Sequence, residues 1–409
     1  MRKIFAFLIL LSFQVIQLSA QNWIEQLSGT DSTLYDVCIV NHDTAYASGA
    51  HGIILKTTNG GASWLSQNSG VIDGLACITF PSKNIGYASG GFAGGAKANC
   101  RLVKTIDGGV NWNNVNVATG KCGGGIYFLN ADTGFYAYAN SLYGNSVIAM
   151  TKDGGSSWDT VYSGIGWISY FHFVDDSFGY ATVNNGTVLK TTNGGQSWST
   201  SIIPANVWMS GVYFLNKDIG LAGGGPPSAA VSMFKTIDGG ANWTPIASSN
   251  MIFKICFSDN TNGYALTVDV TGAGDIIKTT NVGDSWVPEY TPKSNLRGMS
   301  FLNTNYGYAV GDSGVILKYN ISSDIEPAVI QNNIFALYPN PTSDIVNLKI
   351  DKINIAVLKL NIYTVFGTCL KSEAFTKNQI DVSDLSNGTY IIELLSDKYI
   401  AKQKLIIQR

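Results

Sequence analysis

Arginine is nearly missing from this 409-residue chain: only Arg2, Arg101, Arg297 and Arg409 occur. A site that needs several guanidiniums around one carboxylate or phosphate cannot be gathered from so few. Histidine is as scarce, with His42, His51 and His172 too dispersed for a metal-ligand or catalytic-triad spacing. Charged residues make up 13% of the chain and form no basic stripe, which excludes a phosphate-backbone footprint and hence nucleic acid as a partner. Beyond the N-terminus no apolar run is long enough to span a bilayer.

Glycine (45 residues) and aromatics (11%) are plentiful, a composition that suits many short strands joined by tight turns. The first twenty residues combine Arg2 and Lys3, an apolar run, and Leu18-Ser19-Ala20 before Gln21. This predicts a secretory signal peptide over residues 1–20. Its removal takes 26 basic residues to 24 against 28 acidic ones, a net charge of −4.

The stretch "ILKTTNGGASW" (54–64) recurs as "RLVKTIDGGVNW", "IAMTKDGGSSW", "VLKTTNGGQSW", "MFKTIDGGANW" and "DIIKTTNVGDSW". Upstream of each lies a "GYA"-like landmark, and upstream of that an apolar pair spaced by two. The pairs are Val37/Ile39, Ile78/Phe80, Ile126/Phe128, Phe171/Phe173, Val212/Phe214, Ile255/Phe257 and Met299/Phe301. Residues i and i+2 face one side of a strand, so each pair marks a buried face. Pair, landmark, "LKT" and Trp then read as four strands. The tryptophans recur at spacings of 48, 46, 40, 45 and 43 residues, the period of a propeller blade. A seventh landmark, at 307–309, lacks the turn. The mature N-terminus "NWIEQLSG" matches "SWLSQNSG" (63–70), placing Trp23 41 residues before Trp64. The expectation is an all-β, seven-bladed propeller over 21–321 whose last blade takes its outer strand from residues 22–28.

Each complete turn fits Ser/Thr-x-Asp/Asn-x-Gly-x-x-Trp. The six sets are Thr57, Asn59, Gly61, Trp64; Thr105, Asp107, Gly109, Trp112; Thr151, Asp153, Gly155, Trp158; Thr191, Asn193, Gly195, Trp198; Thr236, Asp238, Gly240, Trp243; and Thr279, Asn281, Gly283, Trp286. The oxygen-bearing side chains suit backbone N–H bonds inside a turn, and glycine supplies positive φ. These turns resemble the Asp-box, or bacterial neuraminidase repeat. The "GYA…ILKTTNGG" context is similar to the propellers of photosystem II assembly factors and their non-photosynthetic relatives. That resemblance implies structural turns, without a metal or cofactor, on the face away from the binding site. It also raises a photosystem assembly role, which sits poorly with export. Sialidases share the box but clamp a carboxylate with three arginines; the mature propeller has only Arg101 and Arg297.

After a linker at 322–333, strands punctuated by Gly367 and Asn387-Gly388 predict a small β-sandwich over 334–409. Tyr338-Pro339-Asn340-Pro341, "IYTVFG", "LSNGTYII" and the Lys-rich last strand resemble the type A sorting domain of the type IX secretion system. This implies the secretion machinery as partner, and a secreted or outer-membrane-surface address in a Bacteroidota-type bacterium. Cys100 and Cys122 fall in loops expected on one propeller face and are a disulfide candidate.

The opposite face from the boxes is expected to carry the ligand site. Trp167 and Trp208 sit at equivalent places in adjacent blades, suited to stacking on a sugar or clamping a peptide, or equally to capping the core. Tyr35, Asp36, Tyr170, Lys254 and Arg297 form a mixed polar set nearby. Asp36, Asp269, Asp275 and Asp312 are the carboxylates on that side, without a convincing acid–base pair among them. The functional expectation is a non-catalytic binding or adhesion propeller for glycan or protein. The alternative is a secreted glycoside hydrolase acting on polysaccharide.

Overall fold

The computed structural model describes residues 22–91, 101–117, 122–139, 145–203, 207–226, 231–246, 250–320, 329–330, 335–350, 358–364, 369–375, 378–395 and 399–409. The leader, most of the linker and Cys100 lie outside them, and with Cys100 the disulfide candidate. The chain divides into two compact units, 1–320 and 321–409.

The first unit consists of seven four-stranded antiparallel sheets. Blade one runs Leu34–Ile39, Ala45–Gly49, Ile54–Thr57 and Leu65–Gln67. The first strands of successive blades touch in a closed cycle, so they are the innermost strands of a ring. The last blade is composite. Its strands Leu296–Asn303, Tyr306–Gly311 and Ile316–Asn320 are completed by Trp23–Gln26, in the register Trp23↔Tyr319 to Gln26↔Ile316. The backbone amide of Asn320 donates to Asn22 O at 3.0 Å beyond that ladder.

One aromatic arrangement explains both the repeat and the closure. The landmark tyrosine of one blade stacks on the second apolar-pair residue of the next, which meets that blade's tryptophan edge-on. Tyr46–Phe80–Trp112, Tyr87–Phe128–Trp158 and Tyr180–Phe214–Trp243 follow it, with stacked centroids 3.4–3.8 Å apart. Tyr264–Phe301–Trp23 repeats it at the composite blade, at 4.4 Å and 5.8 Å. Trp23 therefore fills the place that a box tryptophan fills elsewhere. Such pairs each contribute about 0.5–1.5 kcal/mol beyond area burial.

The lysine of "LKT" adds a polar staple across the same junctions. Tyr46 Oη and Lys56 Nζ both donate to Gly108 O in the next box, at 2.6 and 2.7 Å. Tyr87 and Lys104 do the same to Gly154 O at 2.9 and 2.7 Å, and Lys318 donates to Gly60 O at 2.8 Å across the ring closure. Blade three has Phe135 and Met150 in these two places, so donor and partner are exchanged together for an apolar pair.

The second unit has a five-stranded and a three-stranded sheet whose inner faces share one core, including Val346, Leu348, Leu360, Ile362, Ile392 and Leu405. Asn340 explains the Tyr-Pro-Asn-Pro motif physically. Its side chain accepts from Ile406 N at 2.8 Å and donates to Lys404 O at 2.7 Å, capping the edge of strand Tyr399–Ile407.

Candidate functional site

The Asp-box turns close on themselves. Each threonine hydroxyl donates to the Asx Oδ1 at 2.8–3.0 Å and accepts the N–H of the fifth-position glycine at 2.8–2.9 Å. Asx Oδ1 also accepts the amide four residues on. The second Asx atom shows why Asp and Asn alternate. Asn59, Asn193 and Asn281 donate Nδ2–H to a serine, whereas Asp107 and Asp238 accept from an asparagine and Asp153 accepts from Ser157. The neighbour at the fourth place thus complements either residue. Bonds from Asn111 hold the Asp107 carboxyl down at about 2, and bonds from Ser157 do the same for Asp153. Among the described residues no group of three His, Cys, Asp or Glu is placed to hold a metal ion.

The other face is organised by a feature not foreseen from the sequence. All seven innermost strands slip register at their start, between Leu34/Asp36, Leu75/Cys77, Gly123/Ile126, Ile168/Tyr170, Met209/Gly211, Ile252/Lys254 and Leu296/Gly298. A bulge re-aims side chains that strict alternation would send elsewhere. Leu34 and Val37 are both buried, as are Leu75 and Ile78, Ile168 and Phe171, Met209 and Val212, Ile252 and Ile255, and Leu296 and Met299. Between these couples stand Asp36, Cys77, Tyr170 and Lys254, which come near one another across the ring. An apolar residue three before the apolar pair was the signal in the sequence.

Bulge residues make up the expected polar set, and the structure brings most of it together. Lys254 of blade six reaches Asp36 of blade one at 3.3 Å and lies 4.0 Å from the centre of the Tyr170 ring of blade four. Arg297 of blade seven is bidentate to Asp312, at 3.1 and 2.9 Å, and lies over the Phe253 ring. Burial works against the Lys254 charge, but Asp36, then Tyr170, outweigh it and hold the ammonium well above the ordinary lysine value. One lysine thereby ties three blades across the ring. Tyr35 stands half-buried beside Asp36 as the bulge residue of blade one.

Other axial groups cap the unpaired edges of neighbouring innermost strands. Asp36 Oδ2 accepts from Ile78 N at 3.2 Å, the Phe80 backbone bonds Cys38, the Ile126 backbone bonds Cys77, and His172 Nε2 donates to Phe214 O at 2.8 Å. Burial pushes the thiols of Cys38, Cys77 and Cys256 up to about 12, so they stay protonated and unreactive. Burial lowers His172 to about 4, leaving a neutral imidazole.

The two tryptophans differ. Trp208, leading into blade five, is 61% exposed; Trp167, leading into blade four, is half-buried and its amide donates to Asn184 Oδ1 at 2.7 Å. Both belong to the bulge face, where their carbonyls accept from Asn184 and Gly225 amides of the facing loops.

Fold and turns define an Asp-box seven-bladed propeller. Residues 15–169 match the family described as photosynthesis system II assembly factor YCF48, and residues 336–408 match the secretion system C-terminal sorting domain. The propeller is thus YCF48-like and the chain ends in a sorting domain recognised by the secretion machinery. That sorting domain makes it a secreted or surface protein of a Bacteroidota-type bacterium. The chloroplastic photosystem II stability/assembly factor HCF136 of Oryza sativa subsp. japonica is 41% identical over 51 residues, 12% of this chain and 12% of that protein. The solved structure of YCF48 bound to D1 peptide has a TM-score of 0.60 at 17% identity, covering 74% of this chain and 98% of that one. The GH74 xyloglucanase of Xanthomonas campestris has a TM-score of 0.59 at 12% identity, covering 93% and 74%. At these identities the likeness to the structures is one of fold. No helix among the described residues is long and apolar enough to cross a membrane.

Proposed function

We propose that the exported propeller is a non-catalytic binding or adhesion module that takes a glycan or protein ligand on its bulge face. The reading rests on one observation: every carboxylate expected there is already committed. Asp36 is held by Lys254 and the Ile78 amide, and Asp312 by both ends of the Arg297 fork. Asp269 accepts from Thr271 and Ala273 of its own loop, and Asp275 from the Thr291 hydroxyl at 2.6 Å. General acid–base work needs a carboxyl free to exchange protons with substrate, beside a second at a set separation. A YCF48 structure with a bound peptide supports a peptide as one class of ligand for this propeller type. The test is incubation of the mature protein with a panel of polysaccharides. No new reducing ends, whether or not a polysaccharide binds, is the expected result; steady sugar release abolished by Asp36→Asn, Asp269→Asn, Asp275→Asn or Asp312→Asn would overturn it.

A further inference from the structure

Glycan and polypeptide make different demands on a surface. A pyranose needs an open aromatic face to stack on, with polar groups set around its edge. A polypeptide segment needs apolar contacts for its side chains and uncharged or internally balanced hydrogen-bonding groups for its backbone. The bulge face meets the second description.

Two of the rings nearest the axis are covered. Lys254 lies over Tyr170 and Arg297 over Phe253, so neither ring presents that side to a sugar. The exposed apolar side chains of this face are mainly aliphatic. Leu27, Ile72, Ile165, Ile202 and Val270, with Trp208, are each more than three-fifths exposed. Topology puts all six on one side. They lie at the ends of outer strands, in the connections to the next innermost strand, or in the loop after a second strand, and these segments bond to one another. Asn185 Nδ2 donates to Ile165 O and Gly225 N to Trp208 O. Side chains of this size are seldom left in water on so many connections of one face without a partner to cover them.

Among the described residues every cation of the face is paired: Arg101 with Asp73, Lys254 with Asp36, Arg297 with Asp312, and Lys293 with Glu25. Asp31, Asp269 and Asp275 stand without a cation, on blades one and six. A strongly acidic partner would find no free cation there, and a strongly basic one only these dispersed carboxylates. The buried pairs still present N–H donors and carboxylate acceptors at the centre of the ring.

We propose that the bulge face docks an apolar, uncharged segment of another protein, its side chains on the aliphatic connections and its backbone toward the axial pairs. This rests on the binding reading above and selects between its two ligand classes.

The experiment uses the mature full-length protein, panned against a library of random linear peptides and applied in parallel to a glycan array. Enriched peptides are expected to be apolar and low in charge. Their affinity should fall by roughly tenfold or more in Ile72→Ser/Ile165→Ser/Trp208→Ser, the size of loss expected when anchor residues are removed. It should hold in Ile106→Ser/Ile237→Ser, equally exposed positions in the box turns of the opposite face. All five positions are exposed, and circular dichroism checks that each variant folds. Glycan binding lost with Trp208, without peptide enrichment, would overturn the polypeptide assignment while leaving the binding face in place. Binding of either kind that yields only to the box-side variant would overturn both. Concentration-dependent self-association abolished by the triple variant would make a second copy of the chain the occupant, and refute the proposal.

Discussion

Replacing Trp23 by Ala tests the ring closure at its most concentrated point. The strand Trp23–Gln26 is an outer edge, paired on one side only through four residues, so little besides this side chain anchors it. Trp23 is 2% exposed and meets Tyr319 at 4.9 Å, Phe301 at 5.8 Å and Tyr264 at 6.3 Å. Its Nε1 has no protein partner, so truncation forfeits burial and ring contacts without orphaning an acceptor. Loss of a buried tryptophan with cavity formation costs about 3–5 kcal/mol. For a domain of this length that corresponds to a fall in Tm of roughly 5–8 °C. Ile24, next in the same strand, is half-exposed, and Ile24→Ser should cost less than about 1 kcal/mol. Calorimetry of the mature chain measures both. If Trp23→Ala shifts the propeller transition no further than Ile24→Ser, the N-terminal strand does not close the ring and the account of the composite blade fails.

Asn59→Asp should leave stability at neutral pH unchanged, because Ser63 can donate to the new carboxylate as Ser157 does to Asp153; urea titration checks this. The variant should also lose stability as pH falls from the ordinary carboxylate value toward about 2, the range over which Asp107 and Asp153 are depressed. His172 acts with the opposite chemistry but the same sign. Its folded value of about 4 lies below its ordinary 6.5, so the unfolded chain binds the extra proton between them and stability falls as pH drops through that window. His172→Gln, which keeps a donor for Phe214 O, should remove roughly 1–3 kcal/mol of that pH dependence in urea titrations at pH 7 and 4.5; an unchanged slope would assign it to other groups.

Blade number, strand order and the borrowed N-terminal strand were legible in the sequence because each is a repeat property. Trp23 is matched to Trp64 by its segment and its spacing, and the structure gives it the edge-on phenylalanine contact of Trp112, Trp158 and Trp243. The box turns were equally legible, since their bonds run between residues two and four apart. The lysine staples were not, although Lys56, Lys104 and Lys318 stand in plain view in "LKT". Their acceptor is a carbonyl in the next blade, about fifty residues away or, for Lys318, at the other end of the propeller, and nothing local announces it. Blade three shows what would have: Phe135 and Met150 replace tyrosine and lysine together, a paired exchange that marks a shared partner.

The depth of the axial set was not legible for a related reason. Period-two alternation is the expectation for any strand, and it does not say which way Asp36, Tyr170 and Lys254 turn. The buried residues at Leu34 and Val37, or Ile252 and Ile255, are three apart, which a regular strand cannot accommodate on one face. A bulge resolves the conflict by adding a residue between them, and it occurs in all seven innermost strands. Where blade seven meets blade one the strands approach closely: a Cβ on Gly298 would stand 2.6 Å from Asp36 Cα. Lys254 holds the equivalent place in blade six and reaches Asp36 across the ring. A buried ion pair gains little stability over an apolar substitute, so the pair's consequence is geometric. It fixes blades one, four and six around a common centre, on the side of the ring where Ile72, Ile165 and Trp208 are exposed.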